Sequence, residues 1–236
     1  MCTSEQARHS LSRFDQRAPP PPAMTDRTQL TGEEMTPEEI MQTARDTIER
    51  ESAAVAALSE QIGPDFVAAA WMLLSCQGHV LVAGSGTSHA VGARLAHLLS
   101  CCGTPALFIH PGDSQHGLSG AVTERDVLIA LSKGGETTEV NFLAGIARQR
   151  GARVIALTEK PDSTLGRQAD LILKVTAPPT VDPYGMIATG SSLVNCALGD
   201  ALCVVLLQMR GYTREQFGAT HPGGAVGIRV AKEAGS

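Results

Sequence analysis

Two stretches hold the groups best suited to chemistry: Gly84-Ser-Gly-Thr-Ser88 and Ser132-Lys-Gly-Gly-Glu-Thr-Thr138. In the first, Ser85, Thr87 and Ser88 offer hydroxyls to phosphate or sugar oxygens, while Gly84 and Gly86 permit a tight turn that presents N–H groups. In the second, Ser132, Thr137 and Thr138 supply hydroxyls, Gly135 supplies the turn, and Lys133 adds a point charge. Both stretches run into helical patterns, so their donors gather at the positive end of a helix, where an anion is held at least cost. Two such turns in one small chain imply one anionic ligand held from two sides. Glu136 stands in the middle of the second turn, where its charge opposes such a ligand. An acid there suits proton transfer or a sugar hydroxyl; in the plainer reading it answers the dipole of the helix it begins. His116 and His221 lie in Gly- and Pro-rich loops, and Thr220-His-Pro-Gly-Gly224 is a rigid turn that would aim an imidazole. Imidazole is the side chain best matched to moving protons near neutral pH. The plainer reading of both is a surface histidine; His79, His89, His97 and His110 are read as structural.

Other chemistries are disfavoured by what these turns lack. A dinucleotide fingerprint needs glycine where His89 stands, and no Gly-Lys-Ser/Thr follows either turn as a P-loop requires. The six cysteines (Cys2, Cys76, Cys101, Cys102, Cys196 and Cys203) form no CxxC pair, and no histidines stand at zinc-ligand spacing. The sequence therefore calls for no metal and no organic cofactor. Four of the six cysteines fall in apolar helical patterns and read as small hydrophobes.

The elements that position these groups alternate. Short β-branched runs of the kind buried on both faces of a parallel sheet occur at 79–83, 106–109, 126–131, 154–157 and 171–175. Helical patterns cover about 37–58, a segment through Trp71 to about 76, 89–101, 138–150, 163–168, 191–209 and 214–217. Residues 110–117 and 178–190 read as loops. Strands alternating with helices predict an α/β, doubly wound five-stranded parallel sheet flanked by helices. Ligands in such sheets bind beyond the carboxyl ends of the strands, and both turns lie at such ends.

The chain has 236 residues, room for one α/β domain and a tail. A formal net charge of −5 and an aromatic content of 3% disfavour nucleic acid and anionic membrane as partners and fit a small polar anion. The longest apolar stretches fall short of the ~20 residues that span a bilayer, and the start carries no secretory h-region, so a cytoplasmic location is expected. Residues 1–35, with Pro19–Pro22 and few large apolar side chains, read as a disordered tail or as sequence upstream of a later start at Met24 or Met35. The domain is expected over 36–228, with a polar tail over 229–236.

The two turns together resemble those of the SIS (sugar isomerase) domain family. His110-Pro-Gly-Asp-Ser-Gln-His-Gly117, Leu198-Gly-Asp-Ala-Leu202, Arg210-Gly-Tyr-Thr213 and His221-Pro-Gly-Gly-Ala-Val-Gly227 are similar to its arabinose-5-phosphate isomerase branch. The resemblance implies a flavodoxin-like five-stranded sheet, phosphosugar binding, and a homodimer or homotetramer with sites near subunit contacts. Glu136 and His221 match that branch's loop acid and terminal histidine. Thr87 stands where the branch carries lysine, and Thr180 where it carries glutamate; Ser85-Gly-Thr-Ser88 is closer to aminosugar-phosphate members. Such enzymes usually continue into a regulatory CBS pair, and its nucleotide control is not expected here. Three functions follow as expectations: an aldose–ketose sugar-phosphate isomerase working through an enediol, a non-catalytic phosphosugar sensor, or another phosphosugar enzyme such as an aminosugar-phosphate isomerase/deaminase or a lyase.

Overall fold

The five short apolar runs read as strands in the sequence become strands. In the computed structural model, which describes residues 35–224 and 227–229, these are β1 (Val80–Gly84), β2 (Ala106–Phe108), β3 (Val127–Leu131), β4 (Arg153–Thr158) and β5 (Leu171–Lys174). They form one parallel sheet in the order β2-β1-β3-β4-β5. The helices are α1 (Pro37–Ala57), α2 (Pro64–Leu74), α3 (Thr87–Cys101), α4 (Pro111–Ser114), α5 (Thr138–Gln149), α6 (Thr164–Gln168), α7 (Gly190–Arg210) and α8 (Arg214–Thr220). Residues 1–34 and most of the expected C-terminal tail lie outside the described residues, as does Cys2.

Two compact units divide within α1, one ending at Met41 and the other beginning at Gln42. In the first, Thr36 and Glu39 cap each other. The Thr36 hydroxyl accepts the Glu39 N–H at 3.2 Å, and the Glu39 carboxylate accepts the Thr36 N–H at 2.8 Å.

In the second unit, side-chain alternation along the strands makes two cores. Val80, Val82, Val127, Ile129, Leu131, Ile155 and Leu157 face α2, α3 and α7. Leu81, Ala83, Leu128, Ala130, Val154 and Ala156 face α5 and α6. Ala83, Ala130 and Ala156 are in register across three strands, a strip of small side chains on which Val140, Leu143 and Ala144 of α5 are fully buried. Each large apolar side chain buried here contributes ~1.5–3 kcal/mol of transfer free energy. From β1 the chain crosses through α3 to β2 at one edge; from β3 it crosses through α5 to β4 toward the other. Right-handed crossovers in opposite directions put α3 and α5 on opposite faces, and the sheet reverses between β1 and β3.

Asp126 ties the amino ends of β1 and β3. It is 5% exposed, and its carboxylate accepts the His79 N–H at 2.7 Å, the Thr123 N–H at 2.7 Å and the Thr123 hydroxyl at 2.9 Å. His79 spends its N–H this way, so β1 starts at Val80 rather than at the expected His79. Burial opposes ionisation of Asp126, but the His79 and Thr123 donors outweigh it and hold the carboxyl below its ordinary value. A depressed folded-state pKa stabilises the fold above the unfolded value, near 3.9, and the gain disappears as pH falls through the folded value. Asp126→Asn is expected to lower unfolding free energy by about 1–3 kcal/mol at pH 7, with the gap narrowing below about pH 4. Urea titrations at pH 7 and pH 3.5 check this; a gap independent of pH contradicts it.

Other boundaries moved for local reasons. The helix expected from His89 begins at Thr87, because Gly86 turns the chain directly into it at φ +58°. Within the expected 110–117 loop, Pro111 opens the one-turn α4, and His110 Nδ1 caps it by accepting the Gly112 N–H at 3.2 Å. The 178–190 loop contains two single 3-10 turns, Pro179–Val181 and Pro183–Gly185.

Contrary to the expectation from apolar run lengths, the 21-residue α7 is long and apolar enough to span a bilayer by length and composition, with a mean hydropathy of 1.7 over an 18-residue window. Here it packs in the first core through Val194, Leu198, Leu202 and Leu206, and its Asp200 pairs with Arg94 of α3 at 2.6 Å. Cys203 of α7 is buried as a small hydrophobe, and burial pushes its thiol up to about 12.

Candidate functional site

Gly86 and Gly135 make the two turns possible. Each has positive φ, +58° and +69°, a conformation that residues with a Cβ rarely adopt. At Gly135 space is also decisive: an added Cβ would lie 1.9 Å from Ser163 Oγ. The Gly135 N–H donates to the Ser132 carbonyl at 3.0 Å and to the Ser132 hydroxyl oxygen at 3.1 Å. Ser132 Oγ and Thr137 Oγ1 are 2.9 Å apart, so these two hydroxyls form one hydrogen-bonded pair at the start of α5.

The two turns are tied directly. The Ser85 hydroxyl donates to Glu139 Oε1 at 2.7 Å across the reversal point. That bond, the largest influence on Glu139, holds its carboxyl below the ordinary value. Ser85 is therefore committed to the wall between the turns.

Beyond the carboxyl ends of the strands an open cleft runs across them, where ligands of such sheets bind. It is lined by Thr87 and Ser88 from the first turn, Ser132 and Lys133 from the second, Thr158 at the end of β4 and Glu159 after it, and Ser191 and Asn195 from α7. Hydroxyls converge at the amino ends of α3 and α7. Lys133 is the cation and Glu159 the carboxylate among the described lining residues.

Of the residues singled out in the sequence, Thr87, Ser88, Ser132 and Lys133 share the cleft, with Thr137 joined through Ser132. Gly84, Gly86 and Gly135 shape its turns, and Thr138 opens α5 on the exposed side. Glu136 is exposed and turned away, its carboxylate accepting the Thr164 N–H of α6 at 2.9 Å. The Thr164 N–H, followed by its hydroxyl, holds the Glu136 carboxyl below its usual range. His116 is exposed beyond α4.

His221 lies at the foot of α3. Its Nε2 is 3.5 Å from Cys101 Sγ, its ring stacks on Phe217 at 3.9 Å, and its Nδ1 is 2.9 Å from the Phe217 carbonyl. From Thr87 to Cys101 the rise along α3 is about 21 Å at ~1.5 Å per residue, so His221 and the cleft of its own chain lie at opposite ends of α3. His89, read as structural, packs at a tilt against Phe108 with ring centroids 4.4 Å apart.

A family model described as the SIS domain matches residues 73–205. The chain belongs to the SIS domain family. Among curated relatives, arabinose 5-phosphate isomerase KdsD of Pseudomonas aeruginosa is 39% identical over 192 residues, covering 81% of this chain and 59% of that protein. Its Yersinia pestis counterpart is 35% identical, covering 81% of this chain and 58% of that protein. The chain thus spans under two thirds of the length of these relatives. Among solved structures, a putative sugar-phosphate isomerase from Listeria monocytogenes superposes with a TM-score of 0.78 at 34% identity, covering 80% of this chain and all of that one. An Escherichia coli CFT073 protein in complex with a phosphosugar gives 0.75 at 29% identity, also covering 80% of this chain and all of that one.

Sequence reasoning missed the far wall of this SIS domain's cleft. Glu159 follows β4 as the glycines follow β1 and β3, so its place at a strand's carboxyl end was a usable signal. Ser191 and Asn195 look like ordinary helix positions in sequence. Asp182, hidden in a Pro-rich loop, gave no signal; its partners Lys133 and Ser191 are 49 and 9 residues away.

Proposed function

We propose that this SIS domain is an aldose–ketose isomerase acting on a phosphorylated sugar through an enediol. The observation that carries the proposal is the cleft at the sheet's reversal point, walled by two turns rich in hydroxyls and N–H groups. The matched relatives named arabinose 5-phosphate isomerases support it, as does the related structure in complex with a phosphosugar. In this reading the hydroxyls of Ser88, Ser132 and Thr137 hold the phosphate, with the N–H groups of the turns and the charge of Lys133. Thr87 faces the sugar.

Interconverting aldose and ketose needs a group to take a proton from one carbon and return it to the next. Glu136 can do this by exchanging the Thr164 N–H for the sugar, which also restores its strength as a base. His221 is too far from its own cleft and serves that of a second copy, which makes a homo-oligomer part of the proposal. Exposed Val67 and Trp71 on α2 and Val204 on α7 offer apolar contact area for it. His116 is a further candidate carried on an exposed loop. The five free cysteines of the described residues suit a reducing compartment, and we place the protein in the cytoplasm.

Thr87 and Thr180 replace the lysine and glutamate of the arabinose branch, so pentose and aminohexose phosphates are both candidate substrates. A second reading, a phosphosugar sensor without catalysis, is favoured by the absence of any imidazole among the described cleft-lining residues. Incubation with arabinose 5-phosphate and with hexose and aminohexose phosphates, followed by NMR, separates the two. The isomerase reading expects aldose–ketose conversion. A bound compound unchanged after hours supports the sensor, and neither binding nor conversion contradicts both.

A further inference from the structure

The 178–190 loop carries a buried acid that the phosphosugar reading leaves unused. Asp182 is 3% exposed. Its Oδ1 accepts the Ser191 N–H at 2.9 Å, and its Oδ2 accepts the Ser191 hydroxyl at 2.6 Å and the Lys133 ammonium at 2.9 Å. Lys133 is the one cation among the described residues lining the cleft, with a side chain 40% exposed, and Glu159 stands 3.9 Å from the same ammonium.

We infer that Asp182 is a positioning residue: it holds the Lys133 ammonium over the cleft, so that an anionic oxygen of the sugar phosphate meets a cation already in place. The inference rests on the phosphosugar reading of the cleft. The Lys133–Asp182 pair is neutral as a unit, so its value to an anion lies in an aimed N–H rather than in net charge. An ammonium has three donors on a flexible four-carbon stem. Asp182 takes one donor and fixes the stem, leaving others for the ligand, and a donor ordered beforehand loses less freedom on binding. Burial opposes ionisation of Asp182, but the donors of Ser191 and then Lys133 outweigh it and keep the carboxyl below its ordinary value. Without Asp182, Glu159 becomes the nearest acid to Lys133 and draws the ammonium aside. The same carboxylate fastens the loop to the first turn of α7, so the wall and the cation are set together.

Calorimetric binding of inorganic phosphate and arabinose 5-phosphate to the full chain tests this. The variants are Asp182→Asn, Lys133→Met and their combination, with Asp126→Asn as a control that removes a buried carboxylate elsewhere. Asp182→Asn and Lys133→Met are each expected to weaken sugar-phosphate binding on the order of tenfold, and the double variant by no more than either alone. Asp126→Asn is expected to leave affinity within about twofold while lowering stability. Where turnover is measurable, Asp182→Asn raises KM more than it lowers kcat. Unchanged or tighter binding by Asp182→Asn, or additive losses in the double variant, overturns the inference. Should Asp182→Asn fail to fold, Lys133→Met decides: undiminished binding overturns it, and a tenfold loss restored by Lys133→Arg, which can keep the pair, upholds it. A native chain that binds neither probe overturns the phosphosugar reading, and this inference with it.

Discussion

Gly135→Ala is expected to cost about 2–5 kcal/mol of folding free energy and to remove phosphosugar binding with it. Two penalties combine. The first is a backbone at φ +69°, where a Cβ is strained; the second is a methyl 1.9 Å from Ser163 Oγ and 2.4 Å from Ser163 Cβ. Ser163 cannot yield cheaply, because it is buried and its hydroxyl caps α6 by accepting the Gly166 N–H at 3.2 Å. The strain therefore falls on the second turn, where the Gly135 N–H and the Ser132 hydroxyl are hydrogen bonded. Gly134→Ala is the internal control, since a Cβ there meets nothing within 4 Å and its φ is not positive. Urea denaturation of both variants checks the expectation, with Gly134→Ala staying within ~0.5 kcal/mol of the native chain. Equal stability of the two would show that the turn does not need glycine for the reasons given.

The second large effect concerns His221. If its imidazole serves the cleft of another copy, His221→Gln lowers turnover by about 10²- to 10⁴-fold, although it touches nothing in its own cleft. Ser132→Ala disables the cleft itself. When the two inactive variants are unfolded together and refolded, half of the dimers are mixed, and each mixed dimer holds one intact site. About a quarter of native activity then returns. Each variant alone stays inactive. No recovery on mixing, with mixed oligomers shown by mass, would contradict the proposed role of His221.

The sheet was legible because buried parallel strands are short, apolar and β-branched, and because β1 and β3 stop at glycine and hydroxyl residues that turn the chain. Gly84 and Ser132 mark those stops, whereas the strand order was implied by the flavodoxin-like resemblance and not by the residues themselves. The near wall of the cleft was legible for the same reason: Ser88, Ser132 and Thr137 are adjacent in sequence to the strand ends that place them. The far wall was not. Lys133 meets Asp182 across 49 residues, through a loop whose prolines announce only a turn. His221 was legible as an aimed imidazole but not in position, because α7 carries the chain from the cleft back to the foot of α3 before α8 turns it. Glu136 was legible as a first-turn acid, yet its partner is the amino end of α6, 28 residues later, rather than the ligand side of its own turn.

In the proposed function the hydroxyl pair of Ser132 and Thr137 holds the phosphate of a sugar phosphate. The most direct measurement is the thermal midpoint of the native chain and of Ser132→Ala against sugar phosphates, aminosugar phosphates and inorganic phosphate. A ligand that binds only the folded state raises the midpoint as its concentration exceeds its dissociation constant, by ~2.7 kcal/mol of stabilisation at a hundredfold excess. A concentration-dependent rise is expected with at least one sugar phosphate, lost in Ser132→Ala. A rise of equal size in both proteins, or no rise with any phosphate, would contradict it.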